Sequence, residues 1–556
     1  MRMRMMKSLL KYFIPLVALI ASACNGGHDA DKPTGHSSMP ALLGAYESGK
    51  LFDSAVRNAS SCELRFTDGS SVSVPVSDFV IEDCTSSAPK VVSVSGAYWT
   101  VGGTVKGIKV DSAVPDAEAR VVYAYYDAKS LYIQLSNRNR LDFRSRALEQ
   151  EEDVARRQHL PVVRITTQGG AAIVDKKKYV PGTIEISDPE CLYSDEKLFS
   201  APMGIRGRGN STWGWPKKPW KVKLDSKASV LGMPADKEWC LLANYSDRTL
   251  LRNAVAMRLS EICGFAWTPR MRSVEVYLNG AYQGVYTFCE HKKVSSSRVD
   301  IDVVAEDVTA GEALTGDYYF EIEEAQDADV CWWTQMRVPM MFSEPENPNK
   351  AQTEYAQGLF AEFESVLSGN DFADPVKGYA AYIDVDSFID YYIVQELTKN
   401  VDGNLRKSSF LTKRKGGRLT MYHLWDFDLT LGNCGYFDSR VGNGPEGFYI
   451  KDFNSVGEKG KGWYYRLFQD PAFTRKVVAR WEALYPELQA VVQYIEEQAQ
   501  ILDPAQERNF AVWPIGDSVD WVNFPSLGSY DAEVDYLVRF YTSRLQWLDT
   551  ALHNLL

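Results

Sequence analysis

The chain has 556 residues, of which 45% are hydrophobic, 12% aromatic and 24% charged, with a formal net charge of −12 and an isoelectric point near 5.2. This length exceeds the ~250–300 residues at which single hydrophobic cores stop growing, so it predicts more than one domain. The acidic balance excludes a general nucleic-acid binder, which would carry a basic surface, and we expect no nucleic acid among the partners.

Residues 1–24 have the pattern of an export signal. Four basic residues precede the apolar run "YFIPLVALIASAC", which is shorter than the ~20 residues that cross a bilayer. The run ends in Ala21-Ser22-Ala23-Cys24 and resembles a bacterial lipobox; an ordinary signal peptide cleaved nearby is the alternative. We therefore expect a lipid on Cys24, a polar tether over residues 25–39, and a membrane-anchored protein. Its expected location is the cell envelope, at the outer membrane or cell surface of a Gram-negative-type bacterium.

Residues 40–145 predict a small all-β, sandwich-like module, or two short ones. "CELRFTDGSSVSVPV" alternates in polarity on both sides of Asp68-Gly69, and "VVYAYYDAKSLYIQL" does so around residues 127–130. Cys62 and Cys84 flank the first hairpin and are the expected disulfide of an exported chain. The remaining cysteines lack CxxC spacing, so the sequence indicates no zinc site.

The charged stretch 146–159 is the expected linker, and residues 160–550 are expected to form a second, α+β domain. Asp386 is the expected cap of the helix "SFIDYYIVQELTK", whose apolar stripe predicts core packing. "AQGLFAEFESVL" predicts another helix. The strongly helical C-terminal part predicts a helical bundle.

The first polar segment of this domain is "GIRGRGNSTWGWPKKPWKVKLD", residues 204–225. Glycines interleaved with Arg206, Arg208 and Asn210 predict a turn that suits anionic oxygens. In the following strand Lys221 and Lys223 share one face. Kinase nucleotide sites have this arrangement of a phosphate-binding turn followed by a lysine on a strand. A surface turn with solvated lysines has the same sequence pattern.

The second segment places Arg252 in the first turns of a helix that follows Asp247. The helix dipole disfavours a cation at that end, so the arginine is expected to have a specific partner, either a carboxylate or a phosphate. Capping and ion pairing form the plainer alternative.

The third segment runs from the loop "NVDGN", with Asp402, through a hairpin to "MYHLWDFDLTLGN". Asp426 and Asp428 share a face of the returning strand and repel unless a cation, metal or arginine, lies between them. The hairpin is expected to bring the Asp402 loop beside these acids. Protein kinases use this layout for the aspartate that orients the attacking hydroxyl and the aspartate that holds Mg²⁺.

Four ordered motifs, "RGRGNSTW…KKPWKVKLD", "LGMPADKEWCLLANYSDRTLLRNAVAMRLS", "VEVYLNGAYQGVYTFCEHKKV" and "WDFDLTLGN", resemble the CotH-type (spore coat protein H) kinase family. The resemblance implies an atypical protein-kinase-like fold that uses ATP with Mg²⁺ or Mn²⁺ to phosphorylate serine or threonine of secreted or surface proteins. It implies these roles: catalytic Asp402; phosphate-contacting Lys223, preferred to Lys221; nucleotide-pocket Arg206, Arg208 and Asn210; Glu290 as partner of the lysine; metal ligands Asp426 and Asp428.

One position departs from the kinase pattern. Lys407 stands where kinases commonly place the asparagine that binds a second metal, and Asn404 is the candidate substitute ligand. The alternative to a kinase is therefore a cell-surface adhesin, scaffold or glycan-binding lipoprotein with a catalytically weak domain. The aromatic cluster Trp213, Trp215 and Trp220 could stack on sugars, but core packing is the commoner role of such tryptophans.

Overall fold

The computed structural model describes residues 38–87, 89–127, 130–145, 160–324, 330–435, 442–516 and 526–556. The chain divides into two compact units, Met1–Val154 and Ala155–Leu556. Cys24, nearly all of the expected tether and the expected linker lie outside the described residues. None of the described helices combines the length and apolar character that a bilayer crossing requires.

The first unit is mainly β-sheet, with a main apolar core and a second, smaller apolar cluster around Trp99 and Val122. Its elements are α1 (Met39–Glu47), β1 (Phe52–Arg57), β2 (Ser61–Phe66), β3 (Ser71–Pro75), β4 (Ile81–Asp83), β5 (Val92–Ser95), β6 (Tyr98–Val101), β7 (Thr104–Lys109), β8 (Val121–Tyr126), β9 (Ser130–Leu135) and β10 (Arg140–Arg144). The strands form three sheets, ordered β1-β2-β3, β10-β9-β8-β4 and β5-β6-β7. Both expected hairpins are confirmed, and Gly69 supplies the positive φ of +82° in the first turn.

The structure differs from the expected Cys62–Cys84 disulfide, because both residues are free, buried thiols. Cys62 lies on β2 and faces Arg57 of β1 and Val74 of β3. Cys84 follows β4, which leaves that sheet and pairs with β8. Spacing along the chain did not show that the two cysteines belong to different sheets.

The second unit begins with a closed barrel of seven strands. They are β11 (Val162–Thr167), β12 (Val180–Ser187), β13 (Leu198–Gly207), β14 (Trp220–Val230), β15 (Met233–Leu242), β16 (Met271–Leu278) and β17 (Ala281–Glu290). Neighbours follow the order β11-β12-β13-β14-β15-β17-β16, and parallel pairing of β11 with β16 closes the ring. Alternate residues such as Trp220, Val222 and Leu224 fill the interior, so the intervening Lys221 and Lys223 lie on the outer wall.

The remainder of this unit combines a five-stranded sheet with helices. Its elements are α2 (Arg252–Cys263), which precedes β16, and then β18 (Tyr318–Ile322), β19 (Cys331–Trp333), β20 (Pro339–Glu344), α3 (Lys350–Ser368), α4 (Val385–Thr398), β21 (Ser409–Lys413), β22 (Leu419–His423), α5 (Trp463–Leu467), α6 (Pro471–Val512) and α7 (Tyr530–His553). The sheet order is β19-β20-β18-β21-β22. The unit thus mixes helices and sheets, as the predicted α+β class requires.

Helix α4 carries the loop of interest and is the most buried of these helices along its length. Its predicted apolar stripe is confirmed as core: Phe388, Tyr391, Tyr392, Val394 and Leu397 are all buried. Its cap is Asp384, which accepts a hydrogen bond from Ser387 N at 2.9 Å, and not Asp386. The helix begins two residues earlier than the apolar pattern indicated, so Asp386 lies in its first turn.

An apolar cluster joins the outer wall of the barrel to the five-stranded sheet. We call it the wall cluster; its buried members are Cys240, Trp267, Cys289, Val299, Ile301, Tyr319, Phe410, Tyr422 and Trp425. Trp425 immediately precedes Asp426, so burial of its indole fixes where the acidic end of β22 lies relative to the barrel.

Candidate active site

The loop after α4 presents Asp402 at the start of a tight turn. The carbonyl of Asp402 accepts hydrogen bonds from Arg406 N at 3.2 Å and Lys407 N at 3.0 Å. The turn leads directly into β21, which pairs antiparallel with β22, with Phe410 opposite His423. The hairpin prediction is therefore confirmed: both the Asp402 loop and the Asp426 segment lie at the same end of this strand pair.

Asp426 follows β22 in a left-handed conformation, with φ of +67°, and its carboxylate is exposed. Non-glycine residues rarely adopt this conformation, and those that do cluster at functional sites. Ser408 donates its hydroxyl to Asp426 Oδ2 at 3.3 Å. The hairpin thus connects the Asp402 loop and the Asp426 segment through a side-chain contact.

Asp428 is the most desolvated of the three acids. Its pKa is raised to about 7, first by burial and then by the charge of Asp426, with smaller contributions from Asp247 and Asp402 that a hydrogen bond from the Ser246 hydroxyl partly offsets. Burial and the charge of Asp426 also raise the pKa of Asp402. Because the charge of Asp426 raises the pKa of both Asp402 and Asp428, the three carboxylates lie close enough to favour a cation between them if all are to stay ionised.

The segment that holds Asp426 and Asp428 is braced by the chain around α2. Phe427 N donates to Asn253 Oδ1 at 2.8 Å, and Asn433 Nδ2 donates to the carbonyls of Ser246 and Asp428, both at 2.8 Å. Reasoning from the sequence missed Ser246 and Asn433. The run of polar residues "NYSDRT" was the only local sign of Ser246, and Asn433 closes the run "LTLGN".

Arg252 has the specific partner that its position demanded. Its Nη1 lies 2.6 Å from Asp247 Oδ1, and its Nε donates to the carbonyl of Thr430 at 2.9 Å. The guanidinium is buried, so the carboxylate partner and the ion-pair explanation are confirmed for this residue. Through its bond to Thr430, Arg252 stabilises the segment that carries Asp426 and Asp428.

The two strand lysines are not equivalent. Lys221 Nζ lies 2.9 Å from Glu238 Oε2 with an 11% exposed side chain, whereas Lys223 Nζ is 3.6 Å from Glu238 Oε1 and its side chain is 50% exposed. Burial raises the pKa of Glu238, but the hydrogen bond and charge of Lys221 outweigh it and bring the pKa to about 2. The sequence favours Lys223, but the geometry favours Lys221 as the ordered cation on the outer wall of the barrel.

The expected pairing of Glu290 with the strand lysine is not observed. Glu290 is fully buried; its Oε2 lies 3.2 Å from Arg270 Nη1 and its Oε1 3.7 Å from Arg298 Nε. Glu290 shares the inward parity of Phe288 on β17, so it faces the end of the barrel, whereas Lys221 lies outside. Glu238 is the acid that pairs with the lysines.

The glycine turn brings one of its two arginines to the acidic end. The Arg208 guanidinium lies 5.8 Å from the centre of the Trp425 ring, beside Asp426. Arg206 instead donates to the carbonyl of Lys176 and lies 5.1 Å from the ring centre of Tyr179. Asn210 is exposed and precedes a short 3₁₀ turn at 211–214.

The tryptophans of this segment are largely packed. Trp220 is in the barrel core and stacks on Tyr286 at 5.1 Å between ring centres, and Trp213 packs against that core. Trp215 is half-buried beside Tyr245, with 6.2 Å between ring centres. Core packing, the commoner explanation, holds for Trp213 and Trp220.

Glu323 and Asn404 lie near Lys407, the residue that stands where kinases commonly place a metal-binding asparagine. The pKa of Glu323, just after β18, is raised to about 7, chiefly by burial; Lys407 opposes this rise, and Glu321 and Asp402 add to it. Asn404 is buried, and its Nδ2 donates to the carbonyls of Phe453 at 3.0 Å and Asn454 at 3.3 Å. The Asn404 amide thus anchors a neighbouring loop, and Lys407 is the positive charge that the chain places beside Asp402.

The donor set fits a metal that binds together with a phosphate ligand. Among the described residues no group of three or more His, Cys, Asp or Glu side chains is arranged to hold a metal ion. Mg²⁺ in nucleotide sites, however, takes one or two carboxylates and completes its shell with phosphate oxygens and water. The exposed carboxylate of Asp426 and the desolvated carboxylate of Asp428 meet that requirement.

Comparison with known proteins identifies the family of this chain. A search of curated proteins finds no match to this chain. The model of the CotH kinase protein family matches residues 205–548, a range that contains Lys221, Glu238, Asp402, Asp426 and Asp428. With most of its length matched by that model, the chain belongs to the CotH kinase protein family.

Proposed function

We propose that this chain is a membrane-anchored, exported protein kinase that transfers phosphate from ATP, with Mg²⁺ or Mn²⁺, to serine or threonine of secreted or surface proteins. The observation that carries the proposal is the convergence of Asp402, Asp426 and Asp428 at one end of the β21–β22 hairpin, where burial and the charge of Asp426 raise the pKa values of Asp402 and Asp428. Family membership supports the reaction class.

The proposed roles follow from position. Asp402, in the loop before the hairpin, orients the acceptor hydroxyl and receives its proton. Asp426 and Asp428 are the residues that would hold the metal, which supplies charge neutralisation at the phosphates when bound with ATP. Lys221, held by Glu238, and Arg208, beside Trp425, are the cations that would contact the phosphates. An atypical kinase-like fold, with the barrel as the lobe that carries the lysine, is part of this proposal.

The barrel lobe is tied to the helical part by contacts that hold the two sides of the site in one arrangement. Arg508 of α6 pairs with Glu275 of β16, at 2.7 Å between Nη2 and Oε2. Asn509 Oδ1 accepts from Val285 N at 3.0 Å and from Lys217 Nζ at 2.8 Å. Phosphoryl transfer depends almost entirely on positioning and electrostatics, so a braced arrangement suits that chemistry.

Export and lipid anchoring remain proposals supported by the pattern of residues 1–24. In cells fed a labelled fatty acid, the wild-type protein should incorporate label and fractionate with membranes. Cys24→Ala should lose both properties. Label that persists in the variant, or a wild-type protein without label, would contradict the lipid anchor while leaving the kinase proposal open.

The kinase proposal is tested by ligand-induced stabilisation followed by phosphate transfer. A ligand that binds only the folded state raises the melting temperature. ATP with Mn²⁺ should raise it for the wild type, and neither component alone should match the effect. Asp426→Asn should lose the shift. Asp386→Asn, which changes an exposed aspartate in the first turn of α4, is the matched control and should retain it.

Phosphate transfer from labelled ATP to an exported acceptor protein separates binding from catalysis. Asp402→Asn should keep the metal-dependent shift and lose transfer. A wild type that shows the shift but no transfer would favour the scaffold or adhesin alternative with a catalytically weak domain, to which Lys407 points. A wild type with no shift at saturating ATP would overturn the nucleotide site.

A further inference from the structure

Cys240 and Cys289 lie directly opposite each other on neighbouring strands of the barrel. They are register partners in the antiparallel pair β15–β17, and both side chains are fully buried. Opposed residues of an antiparallel pair have Cα atoms about 4.5–5.5 Å apart, which falls inside the 4.4–6.8 Å range of disulfides. Both side chains also belong to the wall cluster. A covalent bond between them therefore requires little backbone movement.

The surroundings of the pair favour thiol chemistry at Cys240. His291 Nδ1 lies 3.5 Å from Cys240 Sγ and can accept the thiol proton. The neighbouring Cys289 side chain, with Arg208 and His291, lowers the pKa of Cys240 against the effect of burial, whereas burial raises the pKa of Cys289. This asymmetry is that of an attacking cysteine beside a resolving cysteine.

The pair lies one side-chain layer below the surface. His291, which contacts Cys240, has a 21% exposed side chain. Lys221 and Glu238, on the same outer wall, are 11% and 17% exposed. A small oxidant of nearly the size of water needs only a local opening at this layer, whereas a bulky disulfide reagent needs a larger one.

We propose that Cys240 and Cys289 form an oxidisable dithiol that closes to a cross-strand disulfide in the presence of a peroxide. The Cys240 thiolate attacks one oxygen of hydrogen peroxide: an S–O bond forms, the O–O bond breaks, and hydroxide leaves as water after taking the Cys240 proton. Cys289 sulfur then attacks the sulfenic acid: an S–S bond forms, the S–O bond breaks, and the second oxygen leaves as water with the Cys289 proton. Two electrons pass from the thiols to the peroxide.

The consequence lies at the wall that carries Lys221 and Glu238. Cys240 is the register partner of Lys221 across β14–β15 and stands two residues from Glu238. The disulfide would covalently tie β15 to β17 and close the loop formed by residues 241–288. A crosslink that closes a long loop restricts the unfolded chain, so the oxidised protein should melt several degrees higher than the reduced protein.

The test starts from purified, fully reduced protein exposed to hydrogen peroxide. Intact mass, peptide mapping under denaturing conditions and melting temperature are measured before and after. The expected result is a mass loss of two hydrogens, a crosslinked peptide that contains Cys240 and Cys289, and a raised melting temperature that dithiothreitol reverses.

Single substitutions distinguish this pair from other cysteines. Cys240→Ser and Cys289→Ser should each abolish the mass loss and the rise in melting temperature. Cys263→Ser changes a buried cysteine on α2 and should behave like the wild type. The proposal is overturned if both thiols remain free after peroxide, if Cys240 only gains oxygen atoms without a crosslink, or if the crosslink joins other cysteines. None of these readouts depends on kinase activity.

Discussion

Lys221 Nζ of β14 lies 2.9 Å from Glu238 Oε2 of β15, across two neighbouring strands of the barrel. Both side chains are mostly buried, and Cys240, the register partner of Lys221, belongs to the wall cluster that also contains Trp425. The ion pair thus lies on the face of the barrel that meets the acidic segment. Its neighbour Lys223 is half exposed and serves as an internal control for charge and strand position.

Lys221→Met should weaken binding of ATP with Mn²⁺ by about 10- to 100-fold, because a hydrogen bond to a charged group contributes about 1.5–3 kcal/mol. Lys223→Met, which removes the same charge from the same strand, should change the affinity by less than about threefold, since an exposed charge contributes little. Isothermal titration calorimetry measures both. Equal losses in the two variants would show that the ordered lysine is not the phosphate contact.

Asp428→Asn should raise the melting temperature of the ligand-free protein at pH 8 and remove its stabilisation by ATP with Mn²⁺. The pKa of Asp428 is raised to about 7 by burial and by Asp426, so its charged form is disfavoured in the folded protein. Differential scanning calorimetry with and without ligand checks both effects. A ligand-free variant less stable than the wild type would indicate that Asp428 has a cationic partner within the protein.

Lys399→Met should change how stability depends on pH. Lys399 Nζ donates to the carbonyls of Gly442, Gly444 and Glu446 at 2.8–3.0 Å. Burial and Arg544 lower its pKa to about 8, while Glu396 and Glu446 raise it. The folded state then binds fewer protons than the unfolded state between about pH 8 and 10.5, so this group makes stability rise with pH across that window, by about 2–3 kcal/mol.

Urea unfolding of the wild type and Lys399→Met at pH 7 and pH 10 measures this contribution. The unfolding free energy of the wild type minus that of the variant should be larger at pH 10, because Lys399 contributes its pH-dependent stability only to the wild type. Because other lysines and tyrosines titrate in both proteins, only the difference reports on Lys399. A pH-independent difference would mean that Lys399 keeps its proton throughout.

Asn509→Leu should destabilise the protein by about 3 kcal/mol or more. Asn509 Oδ1 accepts from Lys217 Nζ at 2.8 Å and from Val285 N at 3.0 Å, and all three residues are buried. Removal of this acceptor leaves two buried donors with fewer partners, one of them on a lysine whose pKa burial already lowers. Guanidinium chloride unfolding gives the loss.

The double variant Lys217→Met, Asn509→Leu should recover much of that loss, because it removes the buried ammonium together with its acceptor. Recovery of less than about 1 kcal/mol would place most of the effect on Val285 N and on the packing of α6 against the barrel. Comparison of the single and double variants therefore shows how much of the lost unfolding free energy comes from the buried charge and how much from packing.

Prediction from the sequence succeeded where neighbours along the chain determine structure. Period-two and helical patterns located the Asp68–Gly69 hairpin, the β21–β22 hairpin and the buried stripe of α4. The cap of α4 was misplaced by two residues because Asp384 and Asp386 are both capable caps, and packing of the helix against the sheet selects between them.

The candidate site was predicted in part for the same reason. Asp402, Asp426 and Asp428 are linked by a short hairpin, and their approach follows from local geometry. Ser246 reaches Asp428 from 182 residues away, and Glu238 replaces Glu290 as the partner of the lysines. Such contacts depend on which strand lies beside which, and no local pattern carries that information.

The sequence by itself determined the α+β class, the positions of the acidic motifs and the expectation of a CotH-type kinase site. Only the tertiary structure decided that seven strands close into a barrel, that Lys221 is paired while Lys223 is half exposed, and that Cys240 faces Cys289. The physical reason is that alternation fixes the face on which a side chain lies, whereas burial, partner and charge state depend on strand register and on the elements packed against that face.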